Sequence, residues 1–116
     1  MNTFEKALEN IAKEYPVRRM SQTYAQIDFL DLLFDAYNCM YIGILYEGDE
    51  VILTDYANYA EICEWEDEDI KDIEKICHKH GITFINYHIE CLYQSNEDVK
   101  HYLDCLLELK EIYAKD

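Results

Sequence analysis

Hydrophobic and polar residues alternate with a period of two through the segment Tyr41–Asp55, YIGILYEGDEVILTD. Alternate residues from Ile42 to Tyr46 fall on one face of a strand, and the same alternation resumes after the Glu-Gly-Asp-Glu sequence at 47–50. A two-residue loop that contains glycine, between two alternating runs, is typical of a β-hairpin. The sequence therefore predicts a central hairpin, with Gly48 at the positive φ of a type II′ turn.

Other segments carry apolar residues at the spacing of an amphipathic helix. The first predicted helix begins at a cap formed by Asn2 or Thr3 and ends at Pro16. The second ends before Gly81, and the last follows Ser95, in a sequence that resembles a capping box. A short helix is also predicted over 56–65. The apolar stripes are Phe4, Leu8, Ile11 and Tyr15; Ile70, Ile73, Ile76 and Cys77; and Val99, Tyr102, Leu103, Leu106, Leu109 and Tyr113.

Two further segments favour strands. Residues from Tyr24 to about Phe29 alternate in polarity, and Ile82–Tyr93 is typical of one or two strands with a turn near Asn86–His88. The order is then helix, strands, helix, strands, helix. This order predicts an α+β fold in a single domain, residues 1–116, with an antiparallel sheet of about four strands and helices packed on one face.

The chain is far more acidic than an ordinary small domain. There are 25 acidic residues against 10 Lys and Arg, a formal net charge of −15, whereas a small soluble domain usually carries a charge of magnitude ~2–8. Between Met20 and Ile70 there are 13 acidic residues and no Lys or Arg. This asymmetry disfavours binding to nucleic acid or to an anionic membrane, and favours a basic protein partner.

The chain shows no sign of export. Its first residues, MNTFEKALENIAKEY, are amphipathic and lack a continuous apolar core. No apolar run reaches the ~20 residues that cross a bilayer. The 5 cysteines are an odd number without a C-x-x-C pair, so we expect free thiols and a cytoplasmic location.

One constellation has residue types that suit zinc, namely Cys77, His80, His88 and Cys91. Its spacing is unfavourable, because residues between the two pairs in an extended strand would separate them by about 23 Å. Core thiols are the simpler interpretation. No glycine-rich phosphate loop and no nucleophile-elbow motif is present. We therefore expect no cofactor, no metal and no enzymatic activity.

A group of carboxylates with interleaved aromatic residues is the predicted partner-binding surface. Glu64, Glu68 and Asp72 are spaced i, i+4, i+8, which places successive carboxylates about 6 Å apart on a helix. Duplex DNA presents a phosphate every ~3.4 Å along the axis of each strand, so these carboxylates could occupy alternate phosphate-binding positions. The predicted surface comprises the acidic residues Asp49, Glu50, Glu64, Glu66, Asp67, Glu68, Asp69 and Asp72 and the aromatic residues Tyr56, Tyr59 and Trp65.

The second hairpin strand ends in Leu53-Thr54-Asp55, and the following helix ends in His80-Gly81-Ile82 before a strand pair and a leucine-rich helix. Over roughly residues 24–113 this order resembles a prokaryotic and phage domain family of unknown function, whose second hairpin strand ends in Leu-Thr-Asp-Asp-Gly. Here Tyr56-Ala57 replaces Asp-Gly, and the Thr-Pro-Phe of that family is missing before the hairpin. The resemblance implies an α+β fold and a bacterial or mobile-element source, and it implies no activity.

The acidic surface predicts a small intracellular inhibitor that binds a basic protein. The form we expect is a phage-type nucleic-acid mimic that blocks a host defence nuclease, as an anti-CRISPR protein does, or an immunity protein that neutralises a nuclease toxin. The alternative is a non-enzymatic adaptor whose charge serves mainly solubility. A third class is a metal-dependent enzyme, which bound zinc would support. The tyrosine-rich faces are also compatible with a homodimer.

Overall fold

A computed structural model of the chain describes residues 1–33, 39–55 and 65–113. For 29–33 and 39–40 the description is confined to the backbone. The short helix predicted over 56–65 therefore falls, apart from Trp65, outside the described residues. So do three members of the predicted partner-binding surface, Tyr56, Tyr59 and Glu64.

The described strands form a 6-stranded antiparallel sheet, not the sheet of about four strands that the sequence predicts. One additional strand follows Pro16, where Arg18 and Arg19 pair with Gln26 and Ala25 of the next strand. Another arises because the segment Ile82–Tyr93 forms two strands around a tight turn. The sheet order is β1-β2-β3-β4-β6-β5, with bounds β1 Val17–Arg19, β2 Tyr24–Leu33, β3 Cys39–Glu47, β4 Glu50–Thr54, β5 Thr83–Ile85 and β6 His88–Leu92.

Three helices are described, and they pack against this sheet: α1 Thr3–Ala12, α2 Ile70–Lys79 and α3 Asn96–Tyr113. The Asn2 side chain caps α1, since its Oδ1 accepts a hydrogen bond from the Glu5 N–H at 2.8 Å. The helix ends at Ala12, earlier than Pro16. Gly81 has φ 74°, as predicted for the residue that ends α2. Within the described residues, no helix is both long enough and apolar enough to cross a membrane.

The buried apolar side chains of the strands lie on one face of the sheet. The register places Ile27 opposite Ile42, and Ile44 opposite both Ala25 and Leu53, and residues directly opposite each other share a face. These side chains are fully buried. The predicted helical stripes complete the same core, with Phe4, Leu8, Ile11, Ile73, Cys77, Val99, Tyr102, Leu106 and Leu109 buried.

The sheet contains two hairpins with two-residue loops. In the first, Glu47 pairs with Glu50, and Gly48 has φ 64°, which confirms the predicted positive φ. In the second, Ile85 pairs with His88, which confirms the predicted turn. Its loop residues Asn86 and Tyr87 both have positive φ, 51° and 66°, as in a type I′ turn.

Candidate protein-binding surface

The acidic segment before α2 forms a compact turn. A 3₁₀ turn, Asp67–Asp69, leads directly into the helix. The Glu66 N–H donates a hydrogen bond to Asp69 Oδ2 at 3.1 Å, and the Asp69 N–H donates to the Glu66 carbonyl at 2.9 Å. Carboxylates in this position stabilise the positive end of the helix dipole. The capping box of Glu66 and Asp69 therefore gives both residues a role in the local fold.

Four carboxylates of this segment are exposed and have no basic partner in the part of the chain that the structure describes. Glu66, Asp67, Glu68 and Asp72 are exposed, and none forms an ion pair with any residue that the structure describes. Between 66 and 75 there are six acidic residues and two lysines, a net charge of −4. Like charges at this density repel one another. The start of α2 is therefore a negative surface available to a cationic partner.

Lys79 lies at the opposite end of α2 and forms an ion pair there. Lys79 Nζ lies 2.6 Å from Glu108 Oε1, and His80 Nε2 lies 2.9 Å from the same oxygen. The hydrogen bonds from Lys79 and His80 lower the pKa of the Glu108 carboxyl. These contacts join α2 to α3, so the charge of Lys79 does not neutralise the start of α2.

Aromatic side chains adjoin the acidic segment. Trp65 is half-buried, and its ring makes edge contacts with Phe84 and Tyr113, each with centroids 5.9 Å apart. Burial raises the pKa of the Tyr113 hydroxyl, and the carboxylates of Asp72 and Asp69 raise it further. The Trp65 indole is thus held by the fold beside the acidic residues.

Tyr87 is a member of this surface that sequence reasoning missed. It lies in the loop of the second hairpin, 45 % exposed, and its hydroxyl is 3.4 Å from Asp67 Oδ1. The signal that could have revealed it is the dipeptide Asn86-Tyr87. A two-residue loop there puts the second residue at positive φ, where a large aromatic residue is unusual.

Within the described residues, the predicted acidic side chains lie in two separate places. Asp49 and Glu50 lie at the loop of the first hairpin, where β4 begins. The β5–β6 loop, which contacts Asp67, lies beyond the other end of β4, because β6 runs antiparallel to it with Leu92 opposite Ile52. Five strand residues at ~3.3 Å each separate the two ends by about 17 Å. Among the described residues, Asp49 and Glu50 therefore form one acidic region and the carboxylates at the start of α2 another.

The residues considered for zinc have other neighbours. Cys77 Sγ lies 3.8 Å from Cys105 Sγ in the core, His80 binds Glu108, and His88 lies 3.8 Å from Glu90. Burial raises the pKa of the Cys91 thiol to about 12, and the Asp98 carboxylate contributes to the shift. No group of three potential ligands in residues 1–33, 39–55 and 65–113 is arranged to hold a metal ion.

A buried polar cluster joins the two hairpins. Asp55, directly after β4, is fully buried, and its Oδ1 accepts a hydrogen bond from the Ile89 N–H at 2.9 Å. The buried Tyr102 hydroxyl donates to the Ile89 carbonyl. Burial raises the pKa of that hydroxyl well above its ordinary value, and the Asp55 carboxylate adds to the effect. Both polar backbone groups of Ile89 thus have side-chain partners, which gives the cluster a structural role.

Comparison of the chain with protein-family models, with curated proteins and with solved structures found no match. The resemblance to a prokaryotic and phage domain family therefore stays a prediction.

Proposed function

We propose that this protein is a small acidic inhibitor that occupies the basic groove of a nucleic-acid-binding protein. In its most specific form it is a phage-type nucleic-acid mimic that blocks a host defence nuclease, as an anti-CRISPR protein does. The observation that carries this proposal is the exposed group of carboxylates at the start of α2, which form no ion pair with a described residue, in a chain of net charge −15.

The spacing of these carboxylates supports mimicry of a phosphate backbone. Glu68 and Asp72 are both exposed and four residues apart, at the junction of the 3₁₀ turn and α2. Four residues across this junction correspond to about 6–7 Å of rise, close to twice the ~3.4 Å by which successive phosphates of one DNA strand advance along the duplex axis. Lysines and arginines that bind alternate phosphates would therefore meet a carboxylate at a similar spacing.

The mechanism is occupancy without turnover. The negative field steers the inhibitor towards a basic groove and accelerates association at low salt. Once bound, the protein excludes the nucleic acid sterically. The affinity should fall as salt rises, because the contacts are ion pairs at the edge of an interface.

An adaptor remains the alternative, and one observation favours it. Ile85 and Leu92 are large apolar residues that are 54 % and 46 % exposed. A partner that binds these side chains would associate through apolar contact, with little dependence on salt. Salt dependence therefore separates the inhibitor from the adaptor.

The experiment begins with affinity capture of a partner from a bacterial lysate at low salt, followed by elution with excess duplex DNA or RNA. For the mimic, we expect recovery of a nucleic-acid-binding protein that duplex DNA displaces. The triple variant Glu64→Lys, Glu68→Lys, Asp72→Lys should then weaken binding of that protein by about tenfold or more.

A matched control reverses as many charges at the other end of the sheet. Glu47, Asp49 and Glu50 are all exposed, and their replacement by lysine changes the net charge by the same amount. If both triple variants weaken binding equally, affinity depends on the net charge of the protein and not on which three acidic residues are reversed. Unchanged binding in the first variant, or partners that DNA leaves in place, would contradict the mimic.

A further inference from the structure

A groove lies between α2 and the loop of the second hairpin. It has a volume of about 230 Å³ and is lined by Ile70, Glu74, Phe84, Asn86 and Tyr87. Sites for whole small molecules usually measure about 300–1,000 Å³. The groove therefore suits a single side chain of a partner better than a small-molecule ligand.

The lining of the groove combines aromatic rings with carboxylates. The Phe84 and Tyr87 rings meet edge to face, with centroids 6.3 Å apart and planes at 84°. Tyr87 remains 45 % exposed. Glu74 lines the groove from α2, and Asp67 reaches the Tyr87 hydroxyl at 3.4 Å. An occupant would therefore meet an apolar aromatic surface and a negative charge together.

Of the common side chains, arginine fits this combination best. Its planar guanidinium stacks on aromatic faces and donates paired hydrogen bonds to a carboxylate. A lysine ammonium is a compact and strongly hydrated charge that gains less from an aromatic surface. Charge complementarity excludes an acidic occupant, because six acidic residues and two lysines occupy residues 66–75.

A second copy of this chain is a poor source of the arginine. The sequence contains only Arg18 and Arg19, and a copy would also bring a further net charge of −15. Arg18 Nη2 donates to Gln26 Oε1 at 2.8 Å, and the Arg19 guanidinium lies 5.5 Å from the centroid of the Phe4 ring. Both arginines thus have partners within their own chain.

We propose that the groove between α2 and the β5–β6 loop receives an arginine side chain of a basic protein partner, an inference that rests on the function proposed above. The carboxylates around the groove attract the partner, and the groove distinguishes arginine from lysine. A surface that acted by charge alone would bind both residues equally.

The test uses fluorescently labelled poly-arginine and poly-lysine peptides of equal length, with binding measured by anisotropy at several salt concentrations. We expect the protein to prefer poly-arginine by about two- to fivefold, the effect of a cation–π contact at an exposed site. Tyr87→Gly should abolish the preference, while Tyr87→Phe, which keeps the ring, should retain it. Glu74→Gln should reduce it.

The matched control for Glu74→Gln is Glu9→Gln, which removes one exposed carboxylate from α1. Glu9→Gln should weaken the binding of both peptides slightly and by the same factor. Equal affinity of the unaltered protein for the two peptides would overturn the inference, as would a preference that survives Tyr87→Gly in a variant whose circular dichroism shows it folded. Neither result affects the displacement of a captured partner by DNA. That separate experiment tests the proposed function, so the two proposals can fail independently.

Discussion

The two hairpins of the sheet have loops of equal length and very different composition. The β3–β4 loop is Gly48-Asp49, and its positive φ of 64° falls on glycine. The β5–β6 loop is Asn86-Tyr87, and the φ of 66° falls on a tyrosine. Glycine adopts this conformation freely, whereas a large side chain adopts it at a cost. The first turn thus follows a local rule, and the second depends on its surroundings.

The first hairpin lies in the interior of the sheet, whereas the second includes an edge strand. Strands β3 and β4 lie inside the sheet with a partner on each side, while β5 lies at its edge. Ile44 and Leu53 of the first hairpin are fully buried, but Ile85 and Tyr87 of the second are 54 % and 45 % exposed. We infer that the first hairpin is the framework of the fold and that the second presents a surface.

The largest expected effect tests this division directly. Leu53→Ala should lower the free energy of unfolding by about 2–5 kcal/mol, because it opens a cavity at a fully buried site between Ile44 and Cys91. Ile85→Ala should change it by less than about 0.5 kcal/mol, since that side chain is exposed. Urea unfolding followed by circular dichroism measures both. Comparable losses would show that the second hairpin also supports the core.

The sequence predicts the first hairpin well because its signals are local. Alternation around Gly48 determines the strands, the loop and the buried face without reference to distant residues. The helical stripes are recovered for the same reason. The strand β1 was missed, because Val17–Arg19 is short and polar and its pairing with Ala25–Ile27 comes from the register of the sheet.

The candidate surface is less predictable, since its members meet only through the fold. Glu66–Asp72 are neighbours in sequence and were found from their charge. The dipeptide Asn86-Tyr87 signals an unusual turn, but it does not signal that Tyr87 reaches Asp67 across a sequence separation of 20 residues. The division between the two acidic regions likewise follows from the antiparallel pairing of β4 with β6.

An intermediate effect is expected where the two hairpins are joined. Tyr102→Phe removes the donor to the buried Ile89 carbonyl, and a buried acceptor without a partner costs about 1–3 kcal/mol. The control is Tyr93→Phe, which removes a 2.7 Å hydrogen bond to Asn96 at a partly buried site. There water can replace the lost partner, so a smaller loss is expected. If urea unfolding shows that both variants lose the same free energy of unfolding, the burial of the Ile89 carbonyl does not determine the loss in Tyr102→Phe.

The smallest effects concern the loops themselves and test whether the Tyr87 ring serves the fold. Gly48→Ala should cost about 1 kcal/mol, purely through backbone conformation, because a methyl group there meets no atom within 4 Å. Tyr87→Gly removes the cost of a left-handed backbone conformation at tyrosine, about 1–2 kcal/mol. It also removes the aromatic contact with Phe84, which stabilises the fold by about 0.5–1.5 kcal/mol. The two terms nearly cancel, so its melting temperature should stay close to that of the unaltered protein. A loss larger than that of Gly48→Ala would show that the ring stabilises the fold, which would remove the reason to assign its exposed face to a partner.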